Sequence, residues 1–72
     1  MNFNQLATFV EVVRLGGINK AARKLFLSQP AVTFQIQRLE HETGCKLIER
    51  EKGNFVLTQK GKKFFHFAEF VY

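Results

Sequence analysis

The sequence predicts a mainly α fold with one small β-hairpin, arranged as a winged helix-turn-helix followed by a C-terminal linker helix. Three observations support this. Residues 19–25 and 29–43 each show helical apolar spacing on either side of a short turn. After Gly44, the runs KLIER and NFVL have the composition of short strands and are separated by EKG. The last stretch, residues 58–72, is apolar around most of a helix.

The first helix is predicted over residues 1–15. Apolar residues recur there at offsets of three, four and seven, the spacing of one buried helix face: Leu6, Phe9, Val10 and Val13. Asn2 or Asn4 can cap its start, and the pair Gly16–Gly17 is typical of a helix stop. This stretch is therefore expected to be a core helix.

The second helix is expected to begin after Asn19, whose side chain can cap it, with Ile18 just ahead of the cap. Its apolar face consists of Ala21, Ala22 and Leu25. Because the two alanines lack bulky side chains, the second and third helices can cross closely, which favours a helix-turn-helix over a generic hairpin. Spacing alone leaves open an ordinary amphipathic pair with a solvated polar face.

The third helix is expected to start at about Gln29, after Leu27 packs the turn. Ser28 is a suitable N-cap, and Pro30 lies where no helical donor is yet needed. At 100° per residue the side facing the core consists of Val32, Ile36 and Leu39. The opposite side consists of Pro30, Phe34, Gln37 and His41, flanked by Thr33 and Arg38.

A hairpin and a last helix complete the predicted fold. Gly44 should end the third helix, the wing should span about residues 47–57 with Gly53–Asn54 in its tight turn, and Thr58 can cap the last helix. Two neighbouring apolar stripes follow that helix, one of Phe64, Phe67, Ala68 and Val71 and one of Gly61, Phe65, Ala68 and Tyr72. One stripe can lie on the chain's own core. The other is expected to meet a second copy in a two-fold contact.

A membrane-surface helix is the alternative for this last segment, since four phenylalanines follow three lysines. An interfacial helix should show a broad basic face. Here the polar line is narrow and mixed, formed by Lys62, His66 and Glu69. We therefore expect no membrane contact.

Composition points to an anionic partner. The 72 residues include 11 Lys and Arg against 6 Asp and Glu, a net charge of +5. The basic residues between positions 14 and 38 meet no acid, so positive charge is concentrated around the helix pair. Nucleic acid is the commonest match for such a surface, although charge alone does not separate DNA from RNA or from an anionic membrane. One domain is all that this length allows, and so small a core favours a partner subunit or a longer parent protein.

The sequence argues against an enzyme. His41 and His66 are isolated, no Ser, His and acid group can be brought together, and the glycines form no phosphate-cradling loop. Cys45 is the only cysteine, which excludes an internal disulfide and suits a small buried residue better than a reactive thiol. No catalytic residue, metal or cofactor is expected. Neither a signal peptide nor a run of ~20 apolar residues is present, so a cytoplasmic protein is expected.

The stretch AARKLFLSQPAVTFQIQRLEHETGCKLIER, followed by LTQKG, resembles the N-terminal DNA-binding domain of the LysR-type transcriptional regulators. The small-residue pair, SQPA, QI..LE, G..L..R and LT..G recur at the family's spacing, and the resemblance covers nearly the whole chain. It implies a winged helix-turn-helix DNA-binding domain over residues 1–58 and the start of a linker or dimerisation helix over residues 59–72. It also implies binding to double-stranded DNA and a homodimer through the linker helix, with a tetramer in the full-length protein as a further expectation. A small-molecule effector would bind only to a C-terminal domain that is absent from this sequence.

Carried onto this chain, the resemblance places residues 29–43 in the major groove and the wing at the minor groove or the backbone. Gln29 can pair with adenine, Thr33 can bond or touch a thymine methyl, and Pro30 offers apolar contact. The expected base contacts are Gln29, Pro30, Thr33, Phe34 and Gln37, and the expected backbone contacts are Lys20, Arg23, Ser28, Arg38, Arg50 and Lys52. The expected dimer contacts are Phe64, Phe65, Phe67, Ala68, Val71 and Tyr72. Arg38 has an alternative role, as an ion pair with Glu42 one turn away.

The chain departs from the family at two places. Phe34 stands where many members have an arginine, and we expect its ring to contact thymine methyls or base-step edges in the groove; packing over the helix-turn-helix corner is the alternative. The wing carries Lys52, Gly53 and Asn54 where a pair of arginines is common, which predicts weaker minor-groove insertion. A winged helix that binds only protein, through Phe34 and the last helix, is the remaining class.

Overall fold

A computed structural model of the chain describes residues 1–51 and 54–72. The described elements are α1 (Phe3–Leu15), α2 (Ile18–Leu25), α3 (Gln29–Thr43), β1 (Ile48–Glu51), β2 (Asn54–Leu57) and α4 (Gln59–Val71). The two strands form one antiparallel hairpin between α3 and α4. The predicted fold class, mainly α with a small β-hairpin in winged helix-turn-helix order, is confirmed.

Helix α1 begins with a capping box. The Asn2 side chain accepts from the Gln5 backbone N–H at 2.9 Å, and the Gln5 side chain accepts in return from the Asn2 backbone N–H at 3.2 Å. The cap is therefore Asn2 rather than Asn4. At the other end Gly16 adopts a left-handed conformation, with φ of 78°, as the predicted stop requires.

Helix α2 starts earlier than predicted, and Asn19 does not cap it. The N-cap is Gly17, whose carbonyl accepts from the Ala21 backbone N–H at 3.2 Å, so Ile18 already lies in the first turn. Since Asn19 lies within that turn, the predicted cap is wrong. No side chain caps this helix, and its first amides are left for other acceptors.

The turn between α2 and α3 has an unusual residue. Phe26 takes the left-handed conformation and is 94% exposed, and the Leu27 backbone N–H donates to the Ala22 carbonyl at 2.9 Å. Leu27 is exposed as well, so it packs the turn less than expected. Ser28 then caps α3 as predicted, its hydroxyl accepting from the Ala31 backbone N–H at 3.2 Å.

The core lies between α1, α2, α3 and the start of the wing. It includes the predicted inner residues Val32, Ile36 and Leu39 of α3, the small residues Ala21 and Ala22, and Leu6, Phe9 and Val10 of α1. Val12 is also buried, although the sequence analysis did not select it. Removal of this apolar surface from water is what holds the helix-turn-helix together.

Two polar contacts attach the wing. The Glu40 carboxylate on α3 accepts from the backbone N–H groups of Leu47 at 2.8 Å and Ile48 at 3.1 Å. The Thr58 hydroxyl donates to the Lys46 carbonyl at 2.6 Å. The strands pair from Ile48 with Leu57 to Glu51 with Asn54, within the predicted wing, and the turn residue Gly53 lies outside the described residues.

Helix α4 has an inner and an outer side. Thr58 caps it, and Phe64 and Phe65 pack edge-on against Phe9, with ring centroids 5.6 and 6.3 Å apart. Ala68 has no exposed surface, so it cannot touch a partner in this conformation. Its prediction as a dimer contact is therefore not supported, and only outward-facing residues of α4 can form such a contact. The exposed apolar residues of α4 are Phe67, Phe70 and Val71. Among the described residues, no helix has the length and apolarity needed to cross a membrane.

Candidate nucleic-acid interface

The outer side of α3 carries the residues predicted to read bases. Gln29, Pro30, Phe34 and Gln37 are exposed and Thr33 is half-buried, as the helical spacing predicts. Phe34 is 59% exposed, so the alternative in which its ring packs over the helix-turn-helix corner does not describe this structure. A large apolar ring is instead presented to solvent at the middle of the helix face.

Gln29 and Thr33 lie one turn apart and bond to each other. The Gln29 side-chain amide donates to the Thr33 hydroxyl at 3.0 Å. This bond fixes the direction of the amide while leaving its carbonyl oxygen and its second N–H free to pair with another group. The two side chains are therefore held side by side at the N-terminal end of α3.

Three of the predicted backbone contacts surround a cleft at this end of α3. The cleft has a volume of about 410 Å³ and lies between the start of α2, the start of α3 and the wing. Lys20 and Arg23 line it from α2, Gln29 lines it from α3, and Arg50 lines it from β1. Among the described residues that line it, none is acidic, so positive charge accumulates there without compensation. We call it the basic cleft.

A second, smaller cleft continues along α3. Thr33 and Gln37 line it from α3, and Arg50 and Lys46 line it from the wing and the segment before it. The sequence analysis did not select Lys46. Its position between the Gly44 cap and the first strand is the signal that could have found it, because a residue that enters the wing beside α3 lies close to the exposed side of that helix.

Ser28 and Arg38 lie outside both clefts. The Ser28 hydroxyl is used as an acceptor by the α3 cap, and its own proton remains free to donate. The Arg38 guanidinium lies 3.9 Å from the Glu42 carboxylate, the alternative pairing that the sequence left open. Such an exposed pair is screened by solvent and contributes little to stability, so it does not prevent Arg38 from turning to another anion.

Glu42 has stronger partners than Arg38. It accepts hydrogen bonds from the N-terminal ammonium group of Met1 and from the Gln5 side chain. These bonds, together with the two nearby positive charges, hold the pKa of the Glu42 carboxyl below its usual range. Arg38 is therefore the more replaceable partner of this carboxylate.

One other basic residue differs from the sequence expectation, and one cannot be compared with it. Lys24 belongs to the acid-free basic stretch, but its ammonium group lies 3.2 Å from the buried Glu11 carboxylate and is absent from the basic cleft. Lys52, a predicted backbone contact, lies outside the described residues. Among the described residues, Lys24 is thus paired with Glu11 rather than placed in the basic cleft.

The described residues contain no metal-binding cluster of His, Cys, Asp or Glu side chains. His41 and His66 are exposed, and the Cys45 thiol is half-buried and donates to the Thr43 hydroxyl at 3.6 Å.

Comparison with known proteins gives a consistent result. The family model described as bacterial regulatory helix-turn-helix protein, lysR family, matches residues 3–62. The HTH-type transcriptional regulator CitR of Bacillus subtilis is 43% identical over 68 residues, which cover 94% of this chain and 23% of CitR. The chain therefore spans about a quarter of the length of this relative.

Solved structures agree over nearly the whole chain. The BenM DBD/catB site 1 DNA complex and the CbnR DBD–DNA complex each match with a TM-score of 0.92 and 38% identity. Each match covers 99% of this chain, and 80% and 82% of the respective structures.

Proposed function

Because this chain belongs to the LysR family of bacterial regulatory helix-turn-helix proteins, we propose that it is the DNA-binding part of a sequence-specific transcription regulator. Helix α3 enters the major groove of double-stranded DNA with its Gln29 end foremost. The wing lies at the minor groove or on the backbone. The BenM and CbnR structures are titled as DNA complexes, which supports this choice of partner.

The basic cleft is the observation that carries the proposal. Lys20, Arg23 and Arg50 come from two elements that are distant in the sequence, yet they converge beside the Gln29 side chain. Cations on the rim of a base-reading helix are suited to hold phosphates and so fix the register of that helix. The uncapped start of α2 adds backbone N–H groups on the same side.

Base reading is assigned to the outer side of α3. Gln29 can give adenine a bidentate pair, and Thr33, Gln37 and Pro30 offer bonding or apolar edges next to it. The exposed ring of Phe34 adds an apolar surface suited to the thymine methyl group. Ser28, Arg38 and Lys52 complete the expected phosphate contacts, and Lys46 is added to them by its place in the second cleft.

The remaining proposals concern the whole protein. The outward side of α4, formed by Phe67, Phe70 and Val71, pairs with a second copy and makes a homodimer, which in the longer protein can form a tetramer. A small-molecule effector binds elsewhere in that protein and changes transcription. The protein works in the cytoplasm and catalyses no reaction.

A gel-shift titration at several salt concentrations tests DNA binding. We expect binding that falls steeply with salt, because bound cations displace counterions from the phosphates. The variant Arg23→Ala should weaken binding to all duplexes alike and reduce the log–log salt slope by about 1. Arg14→Ala, an exposed arginine that does not line the basic cleft, is the control. A chain that binds no duplex at low salt would instead be a module that binds only protein.

Selected binding sites test base reading. Phe34→Ala should lose affinity mainly at one or two T·A pairs, by about 1–3 kcal/mol for each good contact, when sites differing at single T·A positions are compared. Gln29→Ala should relax preference at one position. The control is His41→Ala, on the same side of α3 but near its far end. An even loss for Phe34→Ala on every site would contradict a reading role.

A further inference from the structure

The buried carboxylate of Glu11 joins three helices and lies outside both clefts. Glu11 is on α1 and is 3% exposed. One of its oxygens accepts from the Tyr72 hydroxyl, at the end of α4, at 2.8 Å. The other oxygen accepts from the Lys24 ammonium group on α2 at 3.2 Å. A charge so deeply buried is retained only where its partners satisfy it, so this geometry is specific.

The final turn of α4 has few other links to the rest of the fold. Up to Ala68 the helix is held by buried side chains, whereas Phe70 is 93% exposed and Val71 is also exposed. Tyr72 is the residue of this turn that reaches back to a buried group. Its ring also lies against Phe3, with centroids 5.5 Å apart.

Arg14 supports the same turn from outside. Its guanidinium lies 5.7 Å from the centre of the Tyr72 ring and 3.4 Å from the Glu69 carboxylate. Both contacts of Arg14 are exposed, so solvent screens them. The Tyr72–Glu11 bond is charge-assisted and sheltered, and it is therefore the link that fixes a direction.

We propose that Glu11 is a positioning residue which, through Tyr72, sets the direction of the last turn of α4 relative to residues 1–57, the head. The effect on DNA binding rests on the proposed function: in a dimer bound to DNA, the direction of α4 sets the distance between the two heads. Lys24 contributes by keeping the Glu11 carboxylate charged and oriented. Lys24 is thereby drawn away from the basic cleft.

The first experiment measures the direction of the turn without DNA. Residual dipolar couplings of backbone amides are recorded for the chain and for the variants Tyr72→Phe and Glu11→Gln. The first removes only the hydroxyl and keeps the ring, and the second keeps the shape of the side chain and removes its charge. Glu69→Gln, an exposed carboxylate on the same turn, is the matched control.

In the wild type and the control, we expect the couplings of residues 69–72 to fit the same alignment as the head. In both variants they should no longer fit, and amide exchange in the last turn should be faster by about tenfold to a hundredfold, as loss of a hydrogen bond to a charged group implies. An unchanged direction in either variant overturns the proposal.

The second experiment separates this inference from the proposed function. Each variant is titrated with a short duplex carrying one half-site, obtained by selection with the wild-type chain. We expect affinities within about twofold of wild type, since positions far from the bound surface act independently of it. A large loss in both variants means that Glu11 serves only to fold the head, which also overturns the proposal. If no duplex binds the wild type, the proposed function fails while the couplings still decide the positioning role.

Discussion

Phe26 is the one described non-glycine residue with a positive φ, at φ of 57° and ψ of 41°. A bulky side chain in this conformation costs roughly 1–2 kcal/mol. Its ring is almost fully exposed, so little burial offsets that cost. This conformation ends α2, because it allows the Phe26 backbone N–H to donate to the Ala22 carbonyl while the chain turns toward the start of α3.

We expect Phe26→Asn to stabilise the chain by about 1 kcal/mol, because asparagine tolerates the left-handed conformation and little buried surface is lost. In thermal unfolding this corresponds to a rise in Tm of about 4–8 °C. Phe70→Asn is the matched control, since Phe70 is equally exposed but lies in a right-handed helix. An equal rise in both variants, measured at a low chain concentration, would show that loss of an exposed ring, not the backbone, is responsible.

The Glu11 carboxyl makes the stability of the fold depend on pH. Burial raises the pKa of its carboxyl, but hydrogen bonds from Tyr72 and Lys24 and the charges of Lys24 and Arg14 outweigh burial, so the pKa lies below its usual 4.5. The folded state then binds this proton more weakly than the unfolded state. The stabilisation is complete above pH about 4.5 and is lost as the pH falls through the lower folded pKa.

The prediction is a pH-dependent gap between the wild type and Glu11→Gln in urea unfolding. The free energy of unfolding should be clearly higher for the wild type at pH 7, and the two values should converge as the pH falls below about 4.5. Glu49→Gln, an exposed carboxylate on β1, controls for the loss of one negative charge. A gap that stays constant down to pH 3 would contradict the assigned partners of Glu11.

The elements show what the sequence could and could not predict. Helices α1, α3 and α4 were predicted with their caps or stops because those signals are local: Gly16, Ser28, Gly44 and Thr58 all act within one turn of themselves. The start of α2 was placed two residues late, because Asn19 has a capping side chain whereas Gly17, which has none, is the actual cap.

Contacts between distant elements were less accessible to sequence reasoning. Glu11 and Tyr72 are 61 residues apart in the sequence, and Glu40 is at most 8 residues from its partners at the start of the wing. No periodic pattern in the sequence indicates either contact. The same holds for Lys46 and for Ala68, which belongs to both predicted stripes, so that the pattern did not show that its side chain is fully buried in the core. Lys20, Arg23 and Arg50 were selected as backbone contacts on a family resemblance rather than on spacing, and this role stays a prediction.

The contact between α4 and the wing depends on Gly61. A Cβ atom there would overlap the Leu47 backbone carbonyl and press on the Leu57 side chain. In an open helix, Gly→Ala stabilises by about 1 kcal/mol. Here we expect Gly61→Ala to destabilise by about 1–3 kcal/mol, because backbone must move to relieve the overlap.

Urea unfolding of Gly61→Ala measures this effect, and Lys63→Ala, an exposed position in the same helix, shows what alanine does without the close approach. The wing should respond too. Amide exchange at Leu47 and Ile48, whose N–H groups bond to Glu40, is expected to quicken only in Gly61→Ala. Stability equal to or above wild type would contradict the close packing of α4 on the wing.

For the whole molecule, we expect the outward side of α4 to decide the oligomeric state. Phe70 and Val71 lie three and four residues after Phe67, so the three side chains form one exposed apolar stripe on a small chain. In a two-fold contact each substitution is present in both copies and so changes the interface at two symmetric places. Phe70→Glu should therefore weaken self-association by about thirtyfold or more, as expected for a central aromatic contact.

Sedimentation equilibrium measures the association, with His66→Glu on the polar line of α4 as the control. Because Phe70 is almost fully exposed in the single chain, its replacement should leave the free energy of unfolding of the monomer nearly unchanged. The affinity for a duplex with two half-sites should fall, while the affinity for one half-site should not. In a dimer, binding of one head raises the effective concentration of the second head at its half-site, and this gain is lost when the dimer dissociates. If Phe70→Glu associates as strongly as the wild type, the two-fold contact lies elsewhere in the protein, and the exposed stripe of α4 does not link the two heads of a dimer.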